Sequence, residues 1–131
     1  MSLSAVFLGG LGILTSFMPQ ETLRHFGTTP AGPAVLLVQA GGALYLGFAI
    51  LNWTARAIMI GGIYARPVAL GNFLHFAVAT LAGWKWIAAA AAKPTEAVIL
   101  CVADSVFALW FGAVLFGSHA EGLNHYFCPN R

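Results

Sequence analysis

Charge is nearly missing from this chain. Six Lys and Arg and four Asp and Glu make up 8% of its 131 residues, against about 25% in an ordinary soluble domain. A water-facing surface cannot be built from so few ionised groups. With a net charge of +2 and no basic patch interleaved with aromatics, nucleic acid is excluded as a partner class. Only two cysteines are present. Cys101 falls inside an apolar run and Cys128 near the C-terminus, too far apart in depth for an easy disulfide, so no redox compartment can be read from them. Phosphate-loop, H-E-x-x-H and nucleophile-elbow motifs are all missing, as is C-x-x-C-H, which excludes a covalently attached haem.

Apolar residues fill the space, at 60% of the chain with a mean hydropathy of +0.83. A hydrocarbon core about 30 Å thick is crossed by roughly 20 apolar helical residues. Four segments meet or approach that length, at about residues 3–18, 34–60, 67–90 and 96–116, with a polar C-terminal tail over 117–131. The short alternating segments of a β-barrel are not seen. The expected fold is all-α: one integral membrane domain, a four-helix bundle with short connections and a short interfacial helix after the first span. That first span lacks the positive flank and small-residue cleavage site of a signal peptide, so it is read as a span.

Punctuation supports these bounds. Pro19 closes the first span. "QETLRHFG" can then form one or two amphipathic turns that place Leu23 and Phe26 toward lipid, with Gly27 as C-cap. Pro30 and Pro33 introduce the second span, Gly61-Gly62 ends it, and Pro67 opens the third. Thr95 and Glu96 suit the start of the fourth. Arg56 and Arg66 flank the Gly61-Gly62 turn as headgroup anchors, and Trp53, Tyr64, Trp84 and Trp86 fall where an aromatic belt sits. Four spans leave both termini on one side of the membrane. Lys and Arg in the loops tie between the two orientations, and the pairing of Arg56 with Arg66 tilts the choice to a cytoplasmic N-terminus.

Ionisable groups inside a membrane usually mark a bundle interior or a pathway. Asp104 and Lys85 come to similar depth if the third and fourth spans are antiparallel, which predicts a structural ion pair; a proton-relay carboxylate is the alternative. His75 shares a helical face with Asn72, and Tyr45 falls at comparable depth on the second span. These three form either a structural hydrogen-bond network or a ligand site. A bis-histidine haem needs a second histidine at that depth, and His25, His119 and His125 fall outside the spans. A lipid, a quinone or a tetrapyrrole held by one axial imidazole at His75 remains open. No cofactor is required and no metal set is expected.

The order of a short span closed by "FMPQETLRHFG", a glycine-bearing span "QAGGALYLGFAILNW" and a hairpin leading to "RPVALGNFLHF" resembles the DoxX-like group of small bacterial four-helix membrane proteins. The resemblance covers about residues 5–115 and implies a four-helix bundle in the bacterial inner membrane. It also implies an association with membrane redox assemblies, and it transfers no catalytic residue. The expected role is therefore a non-catalytic accessory or interaction subunit of a larger membrane complex, redox or photosynthetic, contacting lipids, other membrane subunits or copies of itself. A binder of a lipid, quinone or pigment around His75 is the first alternative. A proton-coupled transporter or membrane enzyme using Asp104 and His75 is the second.

Overall fold

The computed structural model describes residues 1–57, 65–90 and 94–127, with the side chains of 65 and 118–127 left aside. The described residues form five helices and no strand: α1 (Ser2–Phe17), α2 (Pro19–His25), α3 (Gly32–Ala55), α4 (Ala65–Ala89) and α5 (Thr95–Phe127). The chain is all-α, as its composition requires. Three stretches are long and apolar enough to cross a membrane, Gly32–Ala55, Arg66–Ala89 and Thr95–Gly117. Their outward side chains are apolar, with Leu109 75% and Leu37 73% exposed, as suits helices embedded in a membrane.

The first expected span differs from the others. At 16 residues α1 is about 24 Å long, short of the core thickness. It qualifies as a span only together with α2, from which it is bent by 99°. Pro19 stands at the first position of α2, where its missing N–H costs nothing and its fixed φ begins a new helix. α2 ends as the sequence predicts. Gly27 takes φ +70°, and the Thr28 and Gly27 amides donate to the Leu23 and Arg24 carbonyls, each at 2.9 Å. That is a Schellman closure, in which a residue with a Cβ would be strained.

The helices group into two units, Met1–Ala57 and Ile58–Arg131. In the first, α1 and α3 run antiparallel in close contact. A Cβ placed on Gly9 would lie 3.7 Å from the Ala49 Cβ. One on Gly12 would lie 2.9 Å from the Leu46 amide nitrogen, and one on Gly42 would lie 2.7 Å from that of Ser16. The glycines thus let backbone meet backbone, as membrane helices do where apolar burial offers no drive to associate. Leu8, Ala5 and Ser4 are buried beside them. Hydroxyls return to their own helices: Ser4 Oγ donates to the Met1 carbonyl at 2.8 Å and Thr15 Oγ1 to that of Leu11 at 2.7 Å. Such internal satisfaction is what hydrocarbon demands.

In the second unit α4 and α5 form a hairpin closed at one end by phenylalanines. Phe76, wholly buried, stacks on Phe107 at 4.9 Å and on Phe111 at 5.9 Å between ring centroids. Phe73 meets Phe116 edge-on at 5.9 Å. Toward the other end a Cβ on Gly83 would collide with Cys101 Sγ but lie 3.9 Å from Cys101 Cβ. Gly83→Ala therefore destabilises the hairpin by about 1–3 kcal/mol through overpacking. Cys101→Ala in the same chain removes the obstructing sulfur and restores most of the loss. A double-mutant cycle on thermal unfolding in detergent reads this coupling, and additive effects would refute the contact.

Two boundaries differ from those the sequence suggests. The second span, expected over 34–60, closes at Ala55, with Arg56 and Ala57 in a turn. Its 24 residues already give about 36 Å, so further helix would bury nothing more in lipid. The Gly61-Gly62 turn lies outside the described residues. The fourth span, expected to end near Phe116, belongs to α5, which continues to Phe127. Polarity over 117–127 does not end the helix: Ala120, Glu121 and Leu123 favour it.

Candidate functional site

On α5, Cys101, Asp104 and Ser105 fall within one turn, on and beside the side packed against α4. Ser105 is fixed there. Its Oγ accepts from Trp84 Nε1 at 3.2 Å and donates to the Cys101 carbonyl at 2.6 Å. This chain of two hydrogen bonds joins α4 to α5 at the level where Gly83 meets Cys101. From sequence alone Trp84 fits an aromatic belt and Ser105 has no part. An indole N–H serves a headgroup or a neighbouring helix equally well, and only the register of the hairpin decides between them.

Asp104 stands beside that junction and is half-buried. It is nine residues into the span that begins at Thr95, about 13.5 Å along the axis. Lys85 lies two residues beyond Gly83, which meets Cys101, and so nearer the end of the hairpin than Asp104. Its side chain is exposed, and no ion pair joins it to Asp104 among the described residues. Four residues from the end of α4, Lys85 can snorkel to the near interface. The short aspartate side chain cannot.

Asn72 and His75 share one face of α4. Asn72 is wholly buried, and its Nδ2 donates to the Val68 carbonyl at 2.8 Å. His75 is half-buried, with its ring edge-on to Phe76 at 5.3 Å. Tyr45 belongs to α3, in the other unit. Asn52, also on α3, is wholly buried, deeper in protein than its place near the end of a span suggests. Arg56 closes α3 with its guanidinium 3.8 Å from the centre of the Trp53 ring, a cation–π contact that suits a residue at the headgroup boundary. Arg66 opens the α4 span and is exposed. Among the described residues no three His, Cys, Asp or Glu side chains are grouped to hold a metal ion. No protein family, curated protein or solved structure matches this chain.

Proposed function

We propose that this chain is a non-catalytic subunit of a larger assembly in a bacterial cytoplasmic membrane, docked through the α5 surface around Asp104. The observation that carries the reading is a carboxyl group inside a spanning stretch with no counter-charge among the described residues. An acidic residue at the centre of a spanning helix costs about 2.5–3.5 kcal/mol on insertion scales. A neighbouring helix that presents a cation or a hydrogen-bond donor at that depth removes the cost and gains specificity of register. The chain is small, and the described residues bring no catalytic set together. In this reading α1, the bent α2 and the connection to α3 make a single crossing, so both termini lie on one side.

Electrophoresis of native membranes solubilised in a mild detergent tests the proposal. The expected result is a band well above the mass of this chain, with further membrane polypeptides identified in it by mass spectrometry. Migration of the chain alone would overturn it. A visible absorption spectrum of the same band addresses His75, because a bound tetrapyrrole would make ligand carriage the principal role.

A further inference from the structure

Three carboxamide side chains fall on the spanning stretches, Gln39, Asn52 and Asn72. Both asparagines are wholly buried, whereas Gln39 is exposed. It stands seven residues after Gly32, the first residue of α3, about 10.5 Å along the axis. A carboxamide carries two donor hydrogens and one acceptor oxygen. One Nε2 hydrogen of Gln39 reaches the Ser16 carbonyl at 3.5 Å, the far limit of a hydrogen bond. Its Oε1 accepts from no donor among the described residues. A polar group left open toward hydrocarbon is costly, and in membranes such side chains hydrogen-bond to another helix.

The residues that follow Gln39 on the outer side of α3 narrow the choice of that helix. Ala43 and Gly47 come at intervals of four, so the three lie along one row of the helix surface. All three are exposed, and a Cβ on Gly47 would meet nothing within 4 Å. Backbone is therefore bared on the outside of the chain. Rows of period four face each other when two helices cross at about −40°, the close crossing that small residues permit in membranes. The row holds no ionised group, so nothing on it selects a charged partner. A carboxamide is instead its own complement, since each Nε2 can donate to the Oε1 of the other. Copies of one chain enter a membrane in the same orientation, so α3 of each runs parallel to α3 of the other. A two-fold axis along the membrane normal then sets Gln39 opposite Gln39 and Ala43 opposite Ala43 at equal depth.

We propose that a second copy of this chain docks on this row, α3 against α3. The backbones come closest at Ala43 and Gly47, and the two Gln39 amides hydrogen-bond to each other. The row is on α3 and not on α5, so the pairing is independent of assembly through Asp104.

Disulfide trapping of the purified full chain, with Cys101 and Cys128 replaced by alanine, tests this in phosphatidylcholine vesicles that hold no other protein. Ala43→Cys gives a covalent dimer on oxidation. Leu37→Cys, also exposed but nearly opposite Gln39 around the helix, gives about tenfold less. Gln39→Leu lowers the Ala43→Cys yield about tenfold, the scale of one or two interhelical hydrogen bonds, and Gly47→Ile abolishes it. A bridge between Gly9→Cys and Ala49→Cys within one chain still forms in both variants, so the loss is not one of folding. Equal yields at Ala43→Cys and Leu37→Cys would mark random collision and overturn the proposal. So would an Ala43→Cys yield unmoved by Gln39→Leu, or the lack of any dimer, which would leave the row to lipid or to a different protein.

Discussion

Gly42→Leu drives α1 away from α3 and destabilises the first hairpin by about 3 kcal/mol, the upper end of the overpacking range. The size follows from what stands in the way. A Cβ at Gly42 would lie 2.7 Å from the Ser16 backbone nitrogen and would press on the Ser16 and Thr15 hydroxyls. A side-chain tip can swing aside, whereas a backbone nitrogen moves only with its helix. Separation also exposes Gly9 and Gly12, whose contacts depend on the same approach. The readout is a disulfide between Gly9→Cys and Ala49→Cys, with Cys101 and Cys128 replaced by alanine. The 3.7 Å between the Gly9 and Ala49 Cβ positions falls in the disulfide range of about 3.5–4.5 Å. The bridge forms readily in the parent chain, and its yield drops sharply with Gly42→Leu. Equal yields would show that α1 and α3 are not in backbone contact. Gly10 and Gly41, with nothing near their Cβ positions, accept alanine without loss and serve as controls.

The second large effect concerns assembly rather than folding. Asp104→Leu releases the chain from its partners while leaving its own stability unchanged or raised, because an unpaired carboxyl is removed from an apolar span. The partner group it leaves behind is then buried without its mate, a loss of about 3–5 kcal/mol for a broken buried pair. Asp104→Asn keeps hydrogen-bonding capacity without charge and holds an intermediate fraction in the assembly. A carboxyl with only a structural role inside this chain would give the opposite order, with altered stability and unaltered assembly.

Much of the architecture was legible because lipid enforces simple rules. Hydropathy located Gly32–Ala55, Arg66–Ala89 and Thr95–Gly117 to within a few residues. Pro19 and Gly27 marked the start and end of α2 through backbone chemistry that hardly depends on context. Less visible was which glycines touch. Gly9, Gly10 and Gly12 look alike in "LGGLG", and only the partner helix makes Gly12 a backbone contact and leaves Gly10 open. Polarity was also an unreliable guide to where a helix stops, as the continuation of α5 through "GSHAEGLNHYF" shows. The expected pairing of Lys85 with Asp104 is not seen among the described residues, although both belong to the same hairpin. Depth alone does not fix the direction of a long, snorkelling side chain. Trp84 shows a third limit: one indole fits an interface or an interhelical hydrogen bond, and composition cannot choose between them.

Assembly turns on Asp104 being met by a group from another chain. The direct measurement is native electrophoresis of membranes that carry the wild-type chain, Asp104→Asn or Asp104→Leu at equal expression, with the bands identified by mass spectrometry. The predicted result is a graded loss of the high-mass band, nearly complete for Asp104→Leu, with its companion polypeptides lost in step. An undiminished high-mass band in Asp104→Leu would contradict the account.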